Sequence, residues 1–314
     1  MAGGVTRLAA VVLLVLGFAP ASFADGGAHH SGDGGHAGAA ASDSPAVASP
    51  NIRFEVDYSF FEIGSTDTFD AQGATTLSID SHDGHSGRAA LTAVFPIWGP
   101  LGGRAQVRGA YGHRLHSLDG LERGNNEVSA SGAGVELFLR NPERYALAIG
   151  GGWDRLAQDG PADANEFGGH ATARAFFPDL GLGPVDWILH FDFTHRQVDG
   201  LPGSTDYDAD RYVVRVQSGW YASDNVQLLF GVEWNRFEEE FSSEEGLEGI
   251  FEARWLLPVP IVPIELRAGG FAGVSEFKRP PFRGDRRLIY GARVGLVLRY
   301  GAGKTLIENQ RRYD

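Results

Sequence analysis

The chain has 314 residues, a formal charge of −13, no cysteine and a mean hydropathy of −0.17. The missing thiols exclude disulfides, cysteine nucleophiles, cysteine-based metal sites and lipidation at a cysteine, and the acidic balance argues against nucleic acid as a partner. A hydropathy near zero suits a soluble domain, and equally a sheet in which every second residue meets an apolar surrounding.

Arg7 supplies a short basic region, Leu8 to Phe18 is apolar, and Ser22-Phe23-Ala24 forms a small-x-small cleavage site before Asp25. Residues 1–24 therefore read as a secretory signal peptide, the apolar run being short for a helix that must cross about 30 Å. Residues 25–50 are rich in Gly, Ala, Ser and His and hold no aromatic residue. Such a segment cannot bury enough apolar surface to order itself and is expected as a disordered leader.

From Asn51 to Tyr300 the chain repeats strand-length runs that alternate apolar and polar residues. In Trp187-Ile188-Leu189-His190-Phe191-Asp192-Phe193-Thr194, Trp187, Leu189, Phe191 and Phe193 fall on one face and His190, Asp192 and Thr194 on the other, because successive strand side chains point to opposite sides. The pattern predicts strands at Asn51–Glu62, Gly87–Ile97, Gly103–Leu115, Asn126–Arg140, Arg144–Leu156 and Glu166–Phe177. It predicts six more at Val185–Gln197, Asp210–Tyr221, Asn225–Glu238, Gly246–Leu257, Ile264–Phe277 and Arg286–Tyr300.

The connections alternate between short turns, such as Asn141-Pro142-Glu143 and Ala222-Ser223-Asp224, and mostly longer loops, including 65–86, 116–125 and 198–209. The fold class expected is all-β: a closed antiparallel up-and-down transmembrane β-barrel of about twelve strands over residues 51–300, with residues 301–314 as a periplasmic tail. The apolar run Trp255–Ile264 contains Pro258, Pro260 and Pro263, and proline breaks helices. A membrane form of this chain must then be a closed barrel, which satisfies its backbone hydrogen bonds in lipid. An exported soluble β-sandwich remains as another reading of the same alternation.

The tryptophans mark the strand ends. Trp187, Trp220 and Trp255 adjoin short turns, Trp98 lies in one, and Trp153 and Trp234 approach long loops. Indole rings favour a membrane–water interface, so the six are expected as an aromatic girdle.

The last strand, Arg293-Val294-Gly295-Leu296-Val297-Leu298-Arg299-Tyr300, resembles the C-terminal assembly signal of bacterial outer-membrane β-barrel proteins, with Arg293, Gly295, Leu298 and Tyr300 in its positions. The even strand count puts both termini in the periplasm, and the resemblance implies an outer-membrane location. It also implies outer-membrane lipid, lipopolysaccharide and the barrel-assembly machinery as partners. The chain departs from it by continuing through Gly301–Asp314.

Alternation also sorts an inner face: Arg53, Glu55, Asp57, Arg104, Arg108, Arg174, Asp192, Arg215, Gln217, Glu233, Glu248, Glu252, Arg254, Glu265, Arg267, Arg293 and Arg299. On the fourth predicted strand the phase slips near Gly132-Ala133-Gly134, which suggests a bulge. Two readings of the inner face stand: arginines that form a path for anions, or arginines and carboxylates that pair across a narrow lumen. Twelve strands lie between the filled eight-stranded barrel and the open sixteen-stranded porin.

Acidic loop groups, such as Asp67, Asp70, Asp80, Asp83, Asp206, Asp208 and Glu238–Glu240, match no EF-hand spacing. His29, His30, His36, His82 and His85 lack orienting partners for a metal. No metal site or cofactor is expected. His113, His116, His190 and His195 join no serine in a recognisable catalytic motif, so no catalytic residue is assigned and an enzyme is not expected, an outer-membrane barrel hydrolase being the lesser alternative. The function expected is a narrow passive channel for small hydrophilic solutes with an ion-paired Arg/Glu lumen. The alternative is a non-conducting barrel whose acidic loops meet surfaces or partners.

Overall fold

In strand β1 (Asn51–Ile63), Ile52, Val56, Tyr58 and Phe60 stand 41–50% exposed, while Arg53, Glu55, Asp57 and Ser59 take the opposite face. A strand with two such different faces can satisfy both only by closing into a ring, one face outside and one inside. The computed structural model describes residues 46–64, 66–69, 75–79, 82–118, 121–158, 163–178, 181, 183–198, 207–239, 243–257, 259, 262–279 and 282–313. All of them belong to one unit, Ser44–Asp314. The signal peptide and residues 25–45 of the expected leader lie outside the described residues.

After β1 come two short strands, β2 (Thr66–Phe69) and β3 (Thr75–Ile79), and then β4 (His82–Trp98), β5 (Leu101–Leu118) and β6 (Leu121–Asn141). The wall continues through β7 (Tyr145–Gln158), β8 (Asp163–Phe177), β9 (Val185–Val198), β10 (Tyr207–Ser223) and β11 (Val226–Glu239). It ends with β12 (Ser243–Leu257), β13 (Ile264–Arg279) and β14 (Phe282–Tyr300). Neighbours pair antiparallel, and β14 returns to β1 in an unbroken register from Ile52↔Tyr300 to Ile63↔Ile289. The result is a closed barrel of 12 long strands. A two-sheet sandwich is ruled out, because the wall is one closed sheet.

Three expectations are corrected at this level. The sequence pattern predicts a loop over residues 65–86, yet β2 and β3 form a small hairpin there; β2 joins the far end of β14 at Arg283↔Phe69, and β3 meets β5 at Ile79↔Leu118. The pattern also predicts a loop over residues 116–125, but β5 and β6 pair up to Leu118↔Leu121. β2 and β3 span only 4 and 5 residues, and the β5–β6 extension shifts register between Leu115 and His116, so neither shows the sustained alternation that marks a strand.

The expected bulge at Gly132–Gly134 is absent: β6 pairs with β7 in constant register from Val128↔Gln158 to Asn141↔Tyr145. The phase looked broken because Val128 and Ala130 point inward, packed against buried Leu156, Ala164 and Val198. Nearer the turns Phe138 also faces in, 2% exposed and 4.7 Å from the Arg140 guanidinium.

Both flanks of the barrel meet at its short-turn end. Ala46 and Val47 are fully buried with Val94 and Phe138. Beyond β14, Gly301 turns the chain at φ +72°, a conformation that favours glycine. A helical turn then runs over Leu306–Glu308, capped by Thr305, whose Oγ1 accepts the Glu308 N–H at 3.1 Å, and passes into the π-helical Asn309–Tyr313. Leu306 is 0% exposed against Tyr221 and Leu256.

A closed sheet has no edge strand to fray. The refolded chain should therefore keep its structure in cold detergent and migrate faster on a gel unboiled than boiled. Equal mobility before and after boiling would contradict closure.

Candidate functional site: the charged interior

Charges on a strand face are tolerable where they meet water or each other. Inside this barrel they meet each other. On the β1–β14–β13–β12 side, Glu55 receives Arg267 at 3.0 Å and Arg53 at 3.6 Å. Arg267 also reaches Glu265 at 2.7 Å, and Arg299 reaches the second oxygen of Glu265 at 2.6 Å. A separate triad joins Arg254 and Arg293 to Glu252, at 2.6 and 2.5 Å. These links run along and across strands, so they brace the sheet as well as neutralise it.

The opposite wall carries a second set. Glu136 takes Arg104 at 2.7 Å and His170 at 2.8 Å. Arg108 Nε donates to Asp154 at 2.7 Å, Arg196 Nε to Glu166 at 2.7 Å, and Arg215 Nε to Glu233 at 2.6 Å. Asp186, 0% exposed, is held by Arg174 at 2.7 Å and by Arg311 of the tail at 2.9 Å. Glu248 accepts the Asn235 amide at 2.9 Å.

Two glycines make room for this lattice. A Cβ at Gly132 would lie 2.1 Å from Asp154 Oδ1, and one at Gly295 would lie 2.1 Å from Asp57 Oδ1. Gly295 belongs to the expected assembly pattern, and here it is register partner to both Asp57 and Arg267. Arg293 of the same pattern faces in on Glu252, whereas Tyr300 is 49% exposed. Leu298 is register partner of Phe54 and Ile264.

Arg53, Glu55, Arg104, Arg108, Arg174, Arg215, Glu233, Glu252, Arg254, Glu265, Arg267 and Arg293 thus join interior ion pairs. Asp57 lies opposite Gly295 and Arg88, and Asp192 accepts the Thr194 hydroxyl at 3.3 Å. The carboxylates Glu136, Asp154, Glu166 and Asp186 escaped the sequence reading. Glu136 sat on the strand whose phase was unclear. Asp154 and Asp186 each neighbour an outward tryptophan, Trp153 and Trp187, and strict alternation from those rings would have placed both acids inside.

The outward face carries the rings. Trp98 is 81% exposed, Trp187 55%, Trp255 54% and Trp153 41%. Trp220 lies near the turn end of β10, and Trp234 Nε1 donates to Glu245 Oε1 at 2.9 Å near the opposite end of β11. Among the histidines, His190 Nδ1 is 2.8 Å from Thr172 Oγ1 and His195 Nδ1 is 2.8 Å from Asp210 Oδ1, and the two pairs share no member. His85 stacks on Tyr58 at 6.0 Å. The side chains of His113 and His116, like most of the acidic loop residues, lie outside the described residues. Among the described residues no cluster of three or more metal-ligating side chains occurs.

No family model and no curated protein matches the sequence. Solved structures do. An outer membrane channel from Pseudomonas putida F1 superposes over 83% of this chain and 100% of its own, with TM-score 0.52 at 12% identity. The beta domain of the Bordetella autotransporter Brka covers 79% of this chain and 98% of its own, with TM-score 0.48 at 13% identity. The translocator domain of the Neisseria meningitidis autotransporter NalP covers 79% and 88%, with TM-score 0.45 at 11% identity. At such identity the likeness is one of fold, and of these three the first is close enough to carry it. The fold is that of outer-membrane barrels, channels among them.

Breaking one partner of a buried ion pair strands the other, at about 3–5 kcal/mol for full burial. Arg215 keeps 32% side-chain exposure, so Arg215→Ala should cost about 2 kcal/mol, discounted for solvent. Adding Glu233→Leu to it should recover most of that loss in urea unfolding. A double variant no better than the single would show that the pair is not coupled.

Proposed function

We propose that the chain is a bacterial outer-membrane barrel whose narrow, ion-paired interior passes small hydrophilic solutes without strong charge selection. One observation carries the reading: a closed wall whose outside is apolar and whose inside is ionic. Val135 and Ile149, 68% and 67% exposed, stand outward on β6 and β7. On the same face Leu189, Val216 and Val232 are successive register partners, and Phe230 and Phe251 contact at 5.3 Å. Apolar surface of this extent is unstable in water and marks an interaction surface. Wrapped around a closed sheet, it suits lipid.

In this reading outer-membrane lipid and lipopolysaccharide surround the apolar band, the barrel-assembly machinery inserts the chain, and the exported protein keeps both flanks of the barrel in the periplasm. The even number of wall strands and the meeting of both flanks at the short-turn end support that orientation. The interior pairs set the selectivity. Most of the interior arginines pair with a carboxylate, so a passing ion meets alternating signs rather than a ring of one sign. The likeness to an outer membrane channel is consistent with this at the level of fold.

The test is single-channel recording of the refolded chain in a planar bilayer under a salt gradient. Discrete steps with similar cation and anion permeability are expected, and Arg108→Ala, which leaves Asp154 uncompensated, should shift the preference toward cations. Silence from folded barrels both of the full chain and of a chain stopped after Gly301 would leave a non-conducting barrel instead. Separately, Ile149→Arg should cost about 2–4 kcal/mol in lipid vesicles if its face meets the bilayer centre. A neutral result would remove that face from lipid.

A further inference from the structure

The tail after Gly301 does more than trail from the barrel. Leu306 and Ile307 donate their backbone N–H groups to Asp224 O at 2.8 and 3.2 Å, on the β10–β11 turn. Arg174 of β8 donates to Gln310 Oε1 at 2.9 Å. Arg311 lies 5.1 Å over the Phe176 ring and donates to the Phe177 carbonyl at 3.3 Å. Two residues later the Tyr313 carbonyl accepts the Asn51 side-chain amide at 3.0 Å, on β1. Counted around the closed wall from β1 through β4, β9 is the seventh of 12 strands, directly across the ring. Arg311 on Asp186 of β9 and Tyr313 on Asn51 of β1 therefore tie opposite walls together within three residues.

Residues 46–50 cover the sector that the tail leaves. Ala46 N–H donates to Gly99 O at 2.8 Å, and Ala46 and Val47 are buried on Val94 and Phe138. The Ala48 N–H then donates to Arg312 O at 3.2 Å, which locks the two segments to each other.

We infer that residues 302–313, locked to residues 46–50, form a cork across the short-turn mouth of the barrel, and that solute passes when the cork withdraws. This rests on the channel reading above. Leu306, buried on Tyr221 and Leu256, seats the tail, which is held by a local polar anchor. Its centre is the Asp186 carboxylate, 0% exposed, which accepts from Arg174, from Arg311 and from the Tyr221 hydroxyl at 2.6 Å. A carboxylate neutralising two guanidiniums is a latch: without it two cations face each other and the tail loses its anchor on β9. A cleft of about 720 Å³, lined in part by Glu143, Arg144, Asp224, Glu308 and Arg312, separates the tail from the β6–β7 turn and leaves room on that side for it to move.

The experiment compares three proteins in planar bilayers: the full chain, a chain stopped after Gly301, and full-length Asp186→Asn. Heat-dependent gel mobility reports the fold of each. The cork predicts severalfold greater mean current for the truncated barrel and an intermediate rise for Asp186→Asn. Equal current in the full and truncated barrels would overturn the cork and leave the channel reading intact. Silence in all three folded proteins would overturn both, because the lumen would then be shut without the tail. If truncation prevents folding, the full-length Asp186→Asn protein decides: raised current supports the cork, and unchanged current overturns it.

Discussion

Closure of the sheet is the constraint on which everything else depends. A strand with an apolar face and an ionic face has no stable place in a flat sheet in water, and its edge N–H and C=O groups need partners. The continuous register between β1 and β14 answers both needs at once, since it leaves the 12-stranded wall no free edge and assigns every side chain to inside or outside. The charges are then placed by parity. Glu55, Glu252, Glu265 and their arginines are interior because their neighbours one residue away are exterior.

Once confined inside a ring, those charges must be satisfied by each other or by water. Their pairing does not in itself make the barrel stable, because desolvation offsets most of the Coulomb gain. It does make the interior specific. The Glu55–Arg267–Glu265–Arg299 chain draws on strands β1, β13 and β14, so a register slip of one residue would turn its members outward and strand them. The same lattice that fixes register also fixes the electrostatic character of the lumen, alternating in sign along its wall.

The wall strands were legible in the sequence because period-2 alternation is a local signal, and both ends of all twelve predicted runs fall within five residues of the observed strand ends. The readings that failed needed information the local pattern lacks. The β2–β3 hairpin has strands of only 4 and 5 residues, and the stretch to Leu118↔Leu121 shifts register between Leu115 and His116, so neither leaves a sustained periodic trace. On β6 the inward Val128, Ala130 and Phe138 imitated a phase slip. Asp186 meets Arg311 across a separation of 125 residues, a contact that no window of sequence contains.

That long-range contact changes what the tail means. By composition, Gly301–Asp314 resembles any short polar extension, yet Leu306 fills a pocket between Tyr221 and Leu256, and Arg311 meets a carboxylate with no exposed surface. Both docking sites lie on wall strands whose interior faces were already committed to charge pairing. The tail therefore completes the lattice at the short-turn end as a removable member. A β-strand in that position would exchange ladder hydrogen bonds with the wall and become part of it. A helical segment anchored by Leu306, by the shared Asp186 carboxylate and by hydrogen bonds to the turns and to β1 adds no strand to the wall, so its departure leaves the sheet closed. If the tail is the cork proposed above, the short-turn mouth is where the structure changes while the wall stays closed.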